Sequence, residues 1–309
     1  MTRMPTGLRA LTVALLVFAG AATALGFLGA WWWPFDVLAN FRLQYAVGTA
    51  AVALLALALR QKVAGLAALG LVAVNAALVV PPCFGSPAAG APALTVISAN
   101  VNSANTDYAT LLGEVRRRRP DVLVVLEVSE GWARALAEGL PDYTSRTIVA
   151  RGDNFGIALL ARVPLSAEVI AFTADAPPSI VAHIPRDGRD LVLVATHPMP
   201  PVGASAAARR DAQLAAVADL ARRSGPLVVV VGDLNATPWS SAFRDLEDAG
   251  LADTRAGFGL QATWPAGFAP MAIPIDHCLV GAGLGASGRE VLDDIGSDHY
   301  PIAVALVAR

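Results

Sequence analysis

The chain has 309 residues, of which 55% are hydrophobic, and its mean hydropathy is +0.54. This composition excludes an ordinary soluble protein, so part of the chain is expected to lie in lipid. Residues 1–91 hold only one acidic and five basic residues, whereas residues 92–309 hold 24 acidic residues and 18 arginines, a formal net charge of −6. An acidic domain argues against strong binding to a nucleic-acid backbone. Cys83 and Cys278 exclude a disulfide framework, although a single bridge between them stays open.

Three apolar runs fill most of the first 80 residues. Residues 10–30, 43–59 and 63–80 each approach the roughly 20 apolar residues that cross a bilayer. A cleaved secretory signal is the alternative for the first run, but this run is longer than a usual signal core and two more runs follow it directly. We therefore predict a transmembrane region in residues 1–80 with three helices.

Basic residues in the short loops predict the orientation of these helices. Arg3 and Arg9 precede the first helix, and Arg60 and Lys62 lie between the second and third, whereas the loop 31–42 has one basic and one acidic residue. Because positive loops stay in the cytoplasm, the N-terminus is predicted to be cytoplasmic. After three crossings, the rest of the chain is predicted to be extracytoplasmic, as a multi-pass protein of the cell (inner or plasma) membrane.

Two short segments support these boundaries. Trp31–Trp33 form an aromatic cluster, which is typical of the interface between a membrane and water. Residues 81–93 are rich in proline, glycine and alanine without periodicity, which predicts a linker. Residues 94–309 are then expected to form a single domain.

From residue 94 onward, short runs of β-forming residues alternate with amphipathic stretches. Several runs are wholly apolar, which predicts strands that are buried on both faces. Thr106 and Ser240 are candidate N-caps of helices. The predicted strands are 94–101, 121–128, 155–161, 179–185, 190–197, 226–233, 275–280 and 299–307, and the predicted helices are 106–118, 130–139, 205–223 and 239–249.

Polar side chains collect where the apolar runs end, and this edge of a sheet is where ligands bind in many proteins. Carboxylate and amide oxygens without thiolates suit Mg²⁺, Mn²⁺ or Ca²⁺ better than zinc. Histidines outside such a shell are free to transfer protons or to contact phosphate. The residues at these ends are Asn100, Glu127, His197, Asp233, Asn235, Asp276, Asp298 and His299.

The same residues belong to seven short motifs, which are ISAN at 97–100, VLE at 125–127, NFGIALLAR at 154–162, ATH at 195–197, GDLN at 232–235, IDH at 275–277 and GSDH at 296–299. In this order and spacing they resemble the endonuclease/exonuclease/phosphatase superfamily, which includes DNase I-like nucleases, sphingomyelinases and inositol polyphosphate phosphatases. The resemblance covers residues 94–309. It implies an α+β fold of the DNase I type, a four-layer α/β sandwich in which two mixed β-sheets pack face to face with helices outside.

The resemblance also implies a role for each of these residues. Asn100, Glu127 and Asp298 match the metal-binding positions, with Mg²⁺ or Mn²⁺ as the implied cofactor. His299 matches the catalytic histidine, and Asp276 matches the carboxylate that fixes the tautomer of that histidine. The implied reaction is in-line attack of water on phosphorus.

Three further residues complete the implied catalytic set. Asp233 and Asn235 match the pair that orients the attacking water and contacts the phosphate. His197 matches the position that hydrogen-bonds a phosphate oxygen or assists the leaving group. Whether Asp233 or His299 removes the proton from water is left open by the sequence.

An anchored phosphoesterase that faces outward resembles a membrane-bound group that includes the vancomycin/teicoplanin resistance membrane proteins. That resemblance implies the lipid bilayer as a partner and a lipid-linked, undecaprenyl-type phosphate or diphosphate as the substrate. A tether raises the local concentration of such substrates and gives no advantage with soluble ones. The alternatives are an extracytoplasmic nuclease or phosphodiesterase, for which a basic groove is expected, and a catalytically silent membrane scaffold.

Overall fold

A computed structural model describes residues 6–186 and 188–309. The N-terminal helical region consists of four helices and a short 3₁₀ turn, Gly26–Leu28, that extends the first of them. Arg3, on which part of the predicted orientation depends, lies outside the described residues. The helices are α1 (Thr6–Leu25), α2 (Trp33–Ala39), α3 (Arg42–Ala58) and α4 (Lys62–Val79).

Helices α1, α3 and α4 pack side by side and alternate in direction. At one end of α1, Arg9 donates a hydrogen bond to the carbonyl of Leu59, just past the end of α3, at 3.5 Å. At the other end, Arg42 at the start of α3 donates to the carbonyl of Thr23 at 2.8 Å. Arg60 and Lys62 therefore lie at the same end of the bundle as Arg9.

Two helical stretches are long and apolar enough to cross a membrane, Gly7–Leu28 and Lys62–Val79. Helices α2 and α3 meet this criterion only as a pair, and the pair is bent by 64°. Counted as one broken span, the pair brings the total to three, so the number of spans stays a prediction. The short helix α2 lies where a loop was predicted; Pro34 and Asp36 in its first turn are residues that favour a helix start.

The rest of the chain forms two six-stranded sheets and four helices. The strands are β1 (Leu94–Asn100), β2 (Val122–Leu126), β3 (Ser145–Val149), β4 (Ile157–Ala161), β5 (Ser166–Ile170), β6 (Ser179–Arg186), β7 (Arg189–Ala195), β8 (Val228–Asp233), β9 (Ala252–Asp253), β10 (Asp276–Val280), β11 (Leu284–Val291) and β12 (Ile302–Ala308). The helices are α5 (Tyr108–Arg118), α6 (Glu130–Gly139), α7 (Ala204–Ser224) and α8 (Ser241–Asp248).

The first sheet has the strand order β11-β12-β1-β2-β4-β3, and the second has the order β5-β6-β7-β8-β10-β9. Both are mixed, because β1 pairs with β2 and β7 pairs with β8 in parallel while the other neighbours are antiparallel. Alternate residues of β2 show the layering: Val124 and Leu126 pack between the sheets, whereas Leu123 and Val125 pack under α5 and α6. Helices α7 and α8 cover the outer face of the second sheet. The DNase I-like four-layer sandwich is therefore confirmed.

All eight predicted strands are present, but β3, β5, β9 and β11 were not predicted. Strands β3 and β5 are short and partly polar, and β11 contains two glycines and a bulge between Ala286 and Gly288 that interrupts its alternation. Ser240 caps α8 as predicted, whereas the cap of α5 is Asp107 rather than Thr106. The helix begins two residues later than predicted, which places Asp107 directly before its first turn.

The predicted linker 81–93 lies against the sandwich. Its first residues form a 3₁₀ turn, in which the carbonyl of Pro82 accepts hydrogen bonds from the backbone N–H groups of Gly257 and Gly259 at 2.9 and 3.1 Å. Within the described chain Cys83 is exposed, Cys278 is buried in β10, and both are free thiols, so no bridge joins them.

Candidate active site

Two of the predicted residues follow the parallel strands β1 and β2. Asn100 ends β1 and Glu127 comes directly after β2, and the amide nitrogen of Asn100 donates to Glu127 Oε1 at 3.0 Å. The backbone N–H of Ser103 donates to the second oxygen, Oε2, at 3.2 Å. Glu127 has a φ of +62°, which is costly for a residue with a side chain and must be held by its surroundings. Both side chains are buried.

The second sheet brings Asp233 to the same place. The amide nitrogen of Asn100 donates to Asp233 Oδ2 at 3.2 Å, so the carboxylates of Glu127 and Asp233 share one amide across the two sheets. Gly232 allows β8 to lie this close to the residue that follows β7, because a Cβ at position 232 would lie 2.1 Å from the carbonyl oxygen of Thr196. The close approach of β7 and β8 also places His197, which follows Thr196, with its Nε2 3.4 Å from Asp233 Oδ2.

Asn235 lies on the turn after β8. Its backbone N–H donates to Asp233 Oδ1 at 2.9 Å, and its amide nitrogen donates to the carbonyl of Pro198 at 3.0 Å. Its φ of +49° is one that asparagine tolerates better than most residues. Asp233 is therefore held in place from both sides, by Asn100 and by the turn that carries Asn235.

His299 and Asp276 form a buried pair. Nδ1 of His299 is 2.9 Å from Asp276 Oδ2, and its Nε2 is 3.7 Å from Asp233 Oδ2. Burial disfavours the imidazolium, but the carboxylates of Asp276 and Asp233 outweigh this cost and raise the pKa of His299 above its ordinary value. Burial likewise acts against the charged form of Asp233, and here His299 and His197 prevail and lower the pKa of Asp233. His299, paired with Asp276, can therefore hold a proton opposite the ionised carboxylate of Asp233.

Asp298 differs from the other predicted residues because it is exposed. Its Oδ1 accepts a hydrogen bond from the amide of Asn102 at 2.9 Å, and its Oδ2 accepts one from the indole N–H of Trp264 at 3.2 Å. It lines the same cavity as Glu127. The structure thus brings all eight predicted residues to one edge of the sandwich, with Asp298 at the rim.

Two sets of residues could hold a cation. Asp233, Asp276 and His299 each offer one ligand atom, and these atoms lie within 4.8 Å of one another. This set differs from the predicted Asn100, Glu127 and Asp298. We favour the predicted set, because Asp276 Oδ2 and His299 Nδ1 are already joined by a hydrogen bond, whereas Glu127 is a buried carboxylate that forms no ion pair with any residue between 6 and 186 or between 188 and 309. A cation beside Glu127 would compensate its charge.

The cavity over these residues has a volume of about 610 Å³. Six of the eight predicted residues line it, all except Asn100 and Asp276, and its walls are largely apolar, with contributions from the loop 200–202 and from Phe155, Trp264 and Ile273. A third part of the wall comes from the N-terminal helical region, through Val37, Asn40 and Phe41. Polar groups that converge under apolar walls are typical of a ligand site.

The helical region also forms hydrogen bonds with the catalytic domain beneath this wall. Arg210 on α7 is fully buried and donates to Asp36 on α2 at 2.7 Å and to the backbone carbonyl of Asn235 at 3.1 Å. Asn40 accepts hydrogen bonds from the hydroxyl and the backbone N–H of Thr237, at 2.8 and 3.3 Å. The turn that carries Asn235 is therefore held by the region before residue 80.

Sequence reasoning missed Asp36, Asn40 and Arg210. One signal was present, because Asp36 is the only acidic residue among residues 1–91. An ionisable residue next to apolar helices rarely persists without a partner, so its isolation points to an ion pair or a site. Nothing local in the sequence identifies Arg210 as the partner.

Comparison with known proteins gives the same fold and a family. The profile of the Endonuclease/Exonuclease/phosphatase family matches residues 97–299. D. rerio TDP2 complexed with single strand DNA product is 19% identical with a TM-score of 0.59, and the alignment covers 70% of this chain and 99% of that one. A mannosyl-6-phosphatase of Bacteroides thetaiotaomicron VPI-5482 is 22% identical with a TM-score of 0.56, over 70% of this chain and 100% of that one. No curated protein matches the chain.

Proposed function

Because the chain belongs to the endonuclease/exonuclease/phosphatase family, whose members are phosphoesterases, we propose that it is a membrane-anchored, divalent-metal-dependent phosphoesterase that hydrolyses a lipid-linked phosphate or diphosphate. The observation that carries the lipid assignment is the cavity over the predicted residues, because Val37, Asn40 and Phe41 of the apolar helical region form part of its wall. A substrate bound there contacts the anchor and the catalytic domain together.

The proposed orientation places the catalytic domain outside the cell membrane. Its support is the alternation of α1, α3 and α4, which puts Arg9, Arg60 and Lys62 at the end of the bundle opposite the catalytic domain. Positive charge at that end is the cytoplasmic pattern. Trp31, at the other end, is 81% exposed, as expected of an aromatic residue that lies in the outer interface.

In the proposed mechanism Asn100, Glu127 and Asp298 would hold the metal ion, and an all-oxygen set would favour Mg²⁺ or Mn²⁺. When bound, the ion neutralises phosphoryl oxygens and stabilises the leaving oxygen. Asn100 turns its amide nitrogen toward both Glu127 and Asp233. To serve as a metal ligand, Asn100 would have to present its amide oxygen, which here accepts a hydrogen bond from the backbone N–H of Asn102 at 3.1 Å.

The other residues handle water, protons and phosphate. His299, kept cationic by Asp276, neutralises charge on the phosphoryl group, and ionised Asp233 orients the attacking water and accepts its proton. Asn235 contacts the phosphate. His197 hydrogen-bonds a phosphate oxygen or the leaving group, a role supported by its place in the lining of the cavity, where its Nε2 is 3.4 Å from Asp233 Oδ2.

A substrate panel on the detergent-solubilised full chain tests this proposal. Wild-type protein with Mg²⁺ is expected to release phosphate from undecaprenyl diphosphate, and His299→Ala is expected to lose this activity. Nicking of supercoiled plasmid without phosphate release would instead identify an extracytoplasmic nuclease, which the acidic charge of residues 92–309 disfavours. Neither activity would identify a silent scaffold and refute the proposal.

A further inference from the structure

A second cavity, with a volume of about 330 Å³, lies between α1 and α3 on the N-terminal helical region. Leu15 and Phe18 of α1 form one side, and Gly48, Val52 and Leu55 of α3 form the other. We call this cavity the α1–α3 groove. We infer that the α1–α3 groove binds the hydrocarbon chain of the substrate whose phosphate occupies the active site, an inference that rests on the proposed function.

The α1–α3 groove is aligned with the active-site cavity. Phe41, which lines the active-site cavity, directly precedes α3. Tyr45, Gly48, Val52 and Leu55 follow at intervals of three or four residues, so they continue along the same face of the helix. One helical turn, about 5.4 Å, separates Phe41 from Tyr45 at the upper end of the groove. A chain that leaves the active-site cavity past Phe41 would enter the groove directly.

A hydrogen bond lies at the junction between the two cavities. Gln44, which lines the upper end of the groove, donates from Nε2 to the carbonyl of Ala272 at 3.1 Å. Ala272 precedes Ile273, which lines the active-site cavity. The helical region and the catalytic domain are thus tied together at the point where an amphiphile would pass from one cavity to the other.

The polarity of the lining falls from the active-site cavity to the groove, and the groove is long. The active-site floor is charged, and Gln44 and Tyr45 each combine a polar group with an apolar part. Beyond them the groove is lined by aliphatic and aromatic side chains apart from Gly48 and Thr49, whose hydroxyl donates to the carbonyl of Tyr45. From Phe41 to Leu55 the helix rises about 21 Å, which exceeds half of the roughly 30 Å hydrocarbon core of a bilayer. A single hydrocarbon chain with a phosphorylated head matches this order of polarity and the length of the groove.

Gly48 is the position at which the groove can be tested. A Cβ built on Gly48 meets nothing within 4 Å, so a larger side chain there would enter open space without displacing the protein. Gly70 on α4 is the matched control, because it is also exposed, also meets nothing within 4 Å and does not line the groove. Ala51, which lines the groove, provides a second position.

The experiment compares two diphosphates with the same head and different chains, undecaprenyl diphosphate and isopentenyl diphosphate, in proteoliposomes of the full chain. Gly48→Phe and Ala51→Phe are expected to lower kcat/KM for the long chain by at least about tenfold, mainly through KM, because they remove binding that is equal in ground and transition states. Hydrolysis of the short chain should stay within about twofold of wild type, and Gly70→Phe should leave both substrates unchanged.

Three results would overturn the inference. Gly48→Phe and Ala51→Phe could leave the long chain unaffected, they could slow both substrates equally, or Gly70→Phe could produce the same loss for the long chain. Equal losses for both substrates would show that the substitutions disturb the helical bundle. Unchanged kinetics would show that bulk lipid, not the substrate, occupies the groove. Failure of the proposed function has a different signature, because the wild-type protein itself would leave both diphosphates intact.

Discussion

The buried ion pair between Asp36 and Arg210 is expected to determine both stability and turnover. The side chain of Arg210 is 0% exposed and that of Asp36 is 2% exposed, and their atoms are 2.7 Å apart. Asp36→Asn leaves Asp211 as the one remaining acidic partner of Arg210 among the described residues, and Asp211 is 2.7 Å away but 46% exposed. Removal of one partner from a buried pair costs about 3–5 kcal/mol, and the remaining contact with Asp211 favours the lower end, about 3 kcal/mol.

The same substitution should slow the reaction, because Arg210 also donates to the backbone carbonyl of Asn235. Small displacements of a positioning group can cost up to about a hundredfold in rate, and we expect kcat to fall at least about tenfold for Asp36→Asn. A loss of about 3 kcal/mol corresponds to a fall in Tm of roughly 6–12 °C for a domain of about 150–250 residues, the size range of residues 94–309. Thermal unfolding in detergent and phosphate release at saturating Mg²⁺ measure the two effects.

Asp219→Asn is the matched control. Asp219 pairs with Arg222 at 2.5 Å, but both side chains are about half exposed, so this pair should contribute no more than about 1 kcal/mol. If Asp36→Asn changes Tm and kcat no more than Asp219→Asn does, the helical region does not support the active site through this pair, and the reasoning is refuted.

Three further predictions follow from the site and the topology. His299→Ala and Asp276→Asn should each reduce kcat by roughly a hundredfold or more, and the double variant should be little slower than the slower single variant, because the two residues act as a unit; multiplicative losses would contradict this. A reporter fused after Arg309 should be active outside the cytoplasm, and activity only in the cytoplasm would overturn the three-span topology. Burial lowers the pKa of His277 to about 4, so its neutral form stabilises the fold fully above pH 6.5 and this contribution is lost as the pH falls toward 4. Between pH 7 and pH 5 the wild type should lose about 2 kcal/mol that His277→Gln does not lose, and parallel stability curves in urea would exclude this cause.

Much of the active site could be predicted because its residues follow largely apolar strands. Asn100 ends β1, Glu127 follows β2 and Asp233 ends β8, and in each case a buried run stops at a polar side chain. This contrast is local, so it is visible in the sequence. The order of the motifs then implied the family, and the family implied the two-layered sheet core.

The contribution of the helical region could not be predicted in the same way. Asp36 and Arg210 are 174 positions apart, and the helical pattern of α7 shows no sign that Arg210 is buried. Helix α2 is only seven residues long and lies between two longer apolar runs, where its own periodicity is too short to detect. Strand β11 was missed for a related reason, because its bulge shifts the alternation on which strand prediction depends.

The central claim is that this cavity hydrolyses phosphate esters with a divalent metal held at Glu127. The most direct measurement is phosphate release by the full chain during a Mg²⁺ titration, for wild type, Glu127→Gln and the exposed control Glu130→Gln. We expect no activity in excess EDTA, recovery with Mg²⁺ or Mn²⁺, and a Mg²⁺ requirement that rises at least about tenfold in Glu127→Gln alone, because a charged ligand is lost. Full activity in excess EDTA, or titration curves of the three proteins that superimpose, would contradict it.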